Sequence, residues 1–224
     1  MTRIVSETDG TLDKYIGDAV MAFWDAPIAH ADHAVRGTEA ALRMLEELDE
    51  LSPHWAARGL PPIAIGIGLN TGPMRVGNMG SDLRLSYTVM GDNVNLGARL
   101  EEGLTKYYGV RLIAAESTWR LVEHAFHGRE LEQVIVKGKE EAVPIHEVIG
   151  RGAPPADLAA DIAAWNSAKE AYAVRDWAGA EAGFRLWHEQ RGCIIAANFL
   201  DLIEGYKREE PGPDWRPVRA MDTK

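Results

Sequence analysis

Cysteine is almost missing from this chain: Cys193 stands alone among 224 residues. That excludes an intrachain disulfide framework and a cysteine-rich zinc site, and it fits a reducing compartment. Cationic charge is also scarce, with 24 Lys+Arg against 34 Asp+Glu and a formal net charge of −10. Non-specific binding to nucleic acid needs clustered Lys/Arg and is therefore not expected, although a nucleotide can bind through a few local cations. No apolar run approaches the ~18 residues of a membrane span, and residues 1–10 lack the apolar core of a signal peptide. The chain as given reads as soluble and cytoplasmic. No Gly-x-x-x-x-Gly-Lys-Ser/Thr loop occurs, and Gly66-Ile-Gly-Leu-Asn-Thr-Gly72 has the wrong spacing for a dinucleotide loop. A Gly-x-Ser-x-Gly elbow and a Cys–His pair are missing too, which leaves covalent acyl transfer without support. His30-Ala-Asp-His33 has no matching ligand cluster and reads as a solvated helix start.

What is present describes an ordinary globular chain, with 46% hydrophobic and 26% charged residues and room for one large domain or a domain with an appendage. Residues 12–16 and 19–24 read as a hairpin hinged at Gly17-Asp18. Asp32 can cap a helix with Ala34, Val35, Ala41, Leu42, Leu45 and Leu48 on its apolar face, ending before Ser52-Pro53. Residues 63–69 read as a buried strand whose glycines admit a close backbone. A second hairpin follows, with strands over 74–76 and 83–90 and Gly77-Asn-Met-Gly80 as its turn. A helix over 93–103, a strand over 110–114, a helix over 117–122 and paired strands over 128–136 and 142–148 complete an alternating α/β pattern. Beyond the linker Arg151-Gly-Ala-Pro-Pro155 the chain is rich in Ala, Leu, Glu and Trp at helical spacing. Residues 151–224 are expected to form a separate helical unit, one repeat-like helix pair and a third helix, with an extended tail packing through Trp215.

Polar residues stand out inside these apolar elements: Lys14 and Asp18 in the first hairpin, Thr88, and the pair Asn95 and Arg99, which share a helical face at i,i+4. An amide and a guanidinium presented together suit charge developing on a phosphate, and a carboxylate at a hairpin tip suits Mg²⁺. By composition alone the same residues read more readily as solvated side chains and an ordinary turn.

Four ordered segments decide between these readings: Leu12-Asp-Lys-Tyr-Ile-Gly-Asp-Ala-Val-Met-Ala-Phe-Trp24, Gly66 to Gly72, Tyr87-Thr-Val-Met-Gly-Asp-Asn-Val-Asn-Leu-Gly-Ala-Arg-Leu100 and Val136-Lys-Gly-Lys139. Together they resemble the class III adenylate/guanylate cyclase catalytic domain. The resemblance implies an α/β (α+β, ferredoxin-like) cyclase domain over residues 1–150, followed by a small all-α extension over 151–224 like that of sensor-linked bacterial cyclases. It implies ATP as substrate, cyclic AMP and pyrophosphate as products, two Mg²⁺ or Mn²⁺ ions, and a homodimer with active sites at its interface. Full-length relatives carry an N-terminal sensor and membrane region.

By the same resemblance Asp18 is a metal ligand, and Lys14 reads the adenine ring. Thr88 stands where many members have an aspartate facing the adenine amino group, as in a subgroup that includes bicarbonate-responsive cyclases. Asn95 and Arg99 orient the ribose and stabilise the transition state, and Lys137 holds the triphosphate. The family's first strand, with its second metal aspartate, has no counterpart upstream of Lys14. The chain is therefore expected to begin about one strand and one helix late and to be weakly active or inactive alone. A non-catalytic, cyclase-derived regulatory or partner-binding module is the alternative, and a guanylate cyclase is disfavoured by Lys14.

Overall fold

The computed structural model describes residues 1–81, 84–136 and 141–221. After a short helix α1 (Thr2–Glu7), strands β1 (Thr11–Ile16) and β2 (Ala19–Phe23) pair as an antiparallel hairpin of their own. Helix α2 (His33–Ala56) leads to β3 (Ile67–Leu69), and β4 (Arg75–Ser81) pairs with β5 (Arg84–Met90) in a second free-standing ribbon. Helix α3 (Asp92–Arg99) continues through a π-helical segment, Leu100–Leu104, into α4 (Thr105–Tyr108). Then come β6 (Leu112–Ala115), α5 (Glu116–Val122), β7 (Phe126–Val136), β8 (Val143–Arg151) and three long helices, α6 (Ala156–Ala173), α7 (Trp177–Arg191) and α8 (Ile194–Arg208). A last strand, β9 (Val218–Met221), completes a five-stranded mixed sheet in the order β3-β6-β8-β7-β9.

Strand β6 shows why this sheet holds a core on both faces. Its residues alternate, as a strand's side chains must: Leu112 and Ala114 join one apolar cluster with Ala34, Leu42 and Leu45 of α2 and Val122 of α5. Ile113 and Ala115 join the other, with Leu96, Leu100 and Leu104 and with Trp165, Phe184 and Phe199 of the C-terminal helices. The mixed α/β architecture is the one expected. The helices after residue 155 do not pack as a separate unit, because their aromatic face is buried directly against the sheet. Nor is the extension all-α: β9 runs parallel to β7 over Gln133↔Val218 to Val136↔Met221, where it pairs backbone groups that an open sheet edge would leave unpaired. Trp215 packs as expected, against Tyr172, Trp177 and Tyr206.

Several local expectations change for identifiable reasons. Helix α2 runs through Pro53, which donates no backbone hydrogen bond but whose carbonyl still accepts from Ala57 N–H at 3.0 Å, so the last turn continues past it. Asp32 stands at the N-cap of that helix as expected, but its side chain makes no capping hydrogen bond; the carboxylate takes Arg36 Nε at 2.7 Å, which holds the acid below the usual carboxylate range. Only residues 67–69 of the expected 63–69 strand pair, because β6 offers no partner earlier. Gly77 and Gly80 lie within β4, opposite Thr88 and Leu85, so the second hairpin turns later than its glycines suggest. The expected helix over 93–103 breaks at Glu102 and Gly103, where Gly103 takes a positive φ of 92°. Among the described residues no helix is long and apolar enough to cross a membrane.

Candidate functional site

Three side chains from two distant parts of the sequence meet where β1 approaches β5. Lys14 Nζ donates to Thr88 Oγ1 at 3.1 Å, and Thr88 Oγ1 donates to Asp13 Oδ2 at 2.6 Å. Asp13 also accepts from Val89 N–H at 3.3 Å and lies 3.2 Å from Lys14 Nζ. The Asp13 side chain is 1% exposed and that of Lys14 46%, so the carboxylate forms the floor of this cluster and the ammonium its open side. Asp13 was not singled out by sequence reasoning. Its signal was two adjacent charged residues, Asp13 and Lys14, inside an apolar strand, where simple alternation would send them to opposite faces.

Asp18 is exposed just past the tip of the first hairpin, where Gly17 turns the chain with a φ of 64° that few other residues accept. Glu101 is close enough to feel it: burial, then the charges of Glu102 and Asp18, push the Glu101 carboxyl above its ordinary value.

Helix α3 is fixed in rotation by Leu96 and Leu100, 5% and 0% exposed, which anchor it in the core. Asn95 and Arg99 each stand one position before those anchors, so they share the neighbouring face, Asn95 exposed and Arg99 half-buried. The helix sits hard against β3. A Cβ on Gly68 would lie 2.4 Å from Gly97 O and 2.7 Å from Glu101 N, and only glycine lets these backbones approach so closely. At the helix start, Asn70 Nδ2 donates to Asn93 O at 2.9 Å, and Asn93 Nδ2 donates to Pro73 O at 3.0 Å. Arg99, at the C-terminal end of α3, also complements the helix dipole, which is the structural role it would have without a ligand. The structure thus joins Lys14 to Thr88 directly and places Asn95 with Arg99 on one helix face. Lys137 lies outside the described residues.

Residues 1–147 match the family model of the adenylate and guanylate cyclase catalytic domain. The chain belongs to that family. The cyclase domain is 36% identical over 149 residues to "Adenylate cyclase 1" of Rhizobium meliloti (strain 1021), a match covering 66% of this chain and 22% of that protein. Among solved structures it is similar to the adenylyl cyclase CyaB from P. aeruginosa, at 31% identity and a TM-score of 0.60, covering 70% of this chain and 79% of that one. It is similar also to the guanylyl cyclase Cya2, at 31% identity and a TM-score of 0.60, covering 69% of this chain and 77% of that one. The chain spans less than a third of the length of the curated adenylate cyclases from Rhizobium meliloti and Anabaena cylindrica that it matches.

Class III cyclases generally depend on Mg²⁺ or Mn²⁺. Among the described residues no three His, Cys, Asp or Glu side chains cluster as a ready-made metal cage. The donor chemistry at Asp18 nevertheless fits such an ion. Mg²⁺ is commonly held by one or two carboxylates together with substrate phosphates, and the Asp18 side chain is exposed at the hairpin turn, open to an ion that a nucleotide brings with it.

Proposed function

We propose that this cyclase domain acts on ATP, forming cyclic AMP and pyrophosphate. The observation that carries the reading is the hydrogen bond between Lys14 and Thr88, 74 positions apart in sequence, which brings together the two residues that the family resemblance assigns to the purine. In the reaction the 3′-hydroxyl oxygen bonds to the α-phosphorus, and the bond from that phosphorus to the oxygen bridging the β-phosphate breaks. Pyrophosphate leaves with the electron pair, and the hydroxyl proton passes to solvent. Mg²⁺ or Mn²⁺ bound by Asp18 and the nucleotide phosphates would screen charge and lower the hydroxyl pKa.

The chain's own residues supply positioning and fixed charge. Lys14 donates toward the adenine ring nitrogen, and Thr88 faces the amino group. Asn95 orients the ribose, and the Arg99 guanidinium meets charge developing on the α-phosphate. Lys137 holds the triphosphate. The domain works as a homodimer with its sites at the interface. Tyr15 and Ile16 on β1 and Leu85 and Met90 on β5, large apolar side chains left exposed on the two free-standing ribbons, support that association.

The similarity to Cya2 makes GTP the competing substrate, and Lys14 separates the two. Guanine carries a proton on the ring nitrogen to which Lys14 would donate, and two facing donors cost about 1–3 kcal/mol. Lys14→Glu should therefore erode the preference for ATP over GTP by roughly 10- to 100-fold. Equal turnover of the two nucleotides by the unaltered enzyme, or an undiminished ATP preference in the variant, would reject the assignment of Lys14. The activity itself is tested by measuring cyclic AMP and pyrophosphate in equal amounts from ATP with Mg²⁺ or Mn²⁺. Residues 1–224 are assayed beside the same residues preceded by a cyclase first strand and helix carrying the second aspartate. No product from either protein overturns the reading.

A further inference from the structure

Asp13 is the extra residue of a β-bulge: the β1–β2 register shifts between Leu12 and Lys14, leaving Asp13 without a partner in the ladder. A bulge re-aims side chains that a regular strand would send to opposite faces. Here Asp13 and Lys14, adjacent in sequence, both reach the Thr88 hydroxyl, which Lys14 approaches at 3.1 Å and Asp13 at 2.6 Å.

The donor and acceptor count at this hydroxyl has one solution. An ammonium only donates and a carboxylate only accepts, while a hydroxyl has one hydrogen and two lone pairs. Thr88 therefore accepts from Lys14 and spends its single hydrogen on Asp13, which keeps one lone pair for a ligand. Lys14, with one N–H directed at Thr88 and another facing Asp13 at 3.2 Å, keeps a third. The pair thus offers a ligand one donor, from Lys14, and one acceptor, from Thr88. Adenine presents the complement, a bare ring nitrogen beside an amino group. Guanine presents the reverse, a protonated ring nitrogen beside a carbonyl. A threonine hydroxyl left free to rotate would turn its hydrogen toward that carbonyl and tolerate guanine.

We infer that Asp13 is a positioning residue that sets purine specificity by locking the Thr88 hydroxyl as an acceptor. The inference rests on the ATP reading above and deepens it. Because Asp13 is buried beneath Lys14 and Thr88, it acts on the nucleotide through them.

The test measures affinities of the full chain for 3′-deoxy-ATP and 3′-deoxy-GTP, which cannot cyclise, with inorganic tripolyphosphate as the purine-independent probe. Asp13→Asn replaces an acceptor by an amide that can donate to Thr88 and release its hydrogen. The expected result is a fall of about 10-fold in the ATP:GTP affinity ratio, with tripolyphosphate affinity unchanged. Thr88→Val should lower the ratio as well, and adding Asp13→Asn to it should change nothing further, because the hydroxyl through which Asp13 acts is gone. An unchanged ratio in Asp13→Asn, or the same fall when Asp13→Asn is added to Thr88→Val, overturns the inference. If Asp13→Asn does not fold, the unaltered chain still decides. Its Thr88 hydroxyl proton, protected by Asp13, should keep its NMR shift and slow exchange when 3′-deoxy-ATP binds, and losing both on binding overturns the inference. Should the unaltered chain show no purine preference at all, the ATP reading fails and the inference falls with it. A preference that survives Asp13→Asn refutes the inference alone.

Discussion

Arg99→Ala is expected to lower kcat and kcat/KM together, by about 2–4 kcal/mol of transition-state stabilisation, and to leave KM for ATP nearly unchanged. The expectation follows from where α3 places the residue. Leu96 and Leu100 hold the helix in the core, so the face carrying Asn95 and Arg99 is fixed before any nucleotide arrives. A planar guanidinium on a preset face suits the charge that grows on the α-phosphate as the ring closes, and it gains less from the ground state, where that charge has not yet shifted. The measurement is steady-state cyclic AMP formation by a chain carrying both metal aspartates, with dimerisation and thermal unfolding as controls. A folded, dimeric and fully active variant would return Arg99 to its other role, a cation at the C-terminal end of a helix. A rise in KM alone would make it a ground-state phosphate binder.

The second large effect lies far from the nucleotide. Trp165 is 0% exposed and donates from Nε1 to Glu130 O on β7 at 2.6 Å. Its ring meets Phe184, Trp187 and Phe199 edge-on, at centroid distances of 5.1, 5.6 and 6.0 Å. The Arg129 guanidinium of β7 is stacked between Trp165 and Trp187, 4.1 and 3.7 Å from their rings, while its Nε donates to Glu147 Oε2 of β8 at 2.7 Å. Trp165→Ala should therefore destabilise the protein by roughly 3–5 kcal/mol. Because the ring belongs to the same core as Ile113, Leu131 and Ile145 of the sheet, the loss should appear in one cooperative transition rather than in the helices alone. Urea unfolding followed by far-UV circular dichroism and by tryptophan fluorescence checks both points. Two separated transitions, with the first alone shifted by the substitution, would show the helices to be energetically independent of the sheet.

Much of this architecture is legible in the sequence because single strands and helices carry their own periodicity. The first hairpin, β6, β7, β8 and the three long helices all fall close to where alternation, glycine and proline placed them. The parts that were not legible depend on partners distant in sequence. Gly77-Asn-Met-Gly80 has turn composition, but a Cβ on Gly77 would meet nothing within 4 Å, so an open ribbon accepts glycine in mid-strand. Residues 218–221 have too little pattern to read as a strand until the free edge of β7 is beside them. Local spacing shows that Asn95 and Arg99 share a face, but nothing local shows Lys14 touching Thr88. That proximity came only through resemblance to the cyclases, and Asp13, which belongs to none of the roles carried over from them, went unread.

The pairing of β9 with β7 also has a meaning in time. Gln133 finds Val218 only after α6, α7 and α8 have been made, so the sheet gains its last strand at the end of a long-range closure. At a synthesis rate of roughly 5–20 residues per second, the edge of β7 waits on the order of ten seconds for its own partner. During that interval its unpaired N–H and C=O groups are a template on which another chain's strand can pair. Among the described residues, the β7 edge is thus the one strand edge of the sheet whose protection depends on the last residues of the fold to be made.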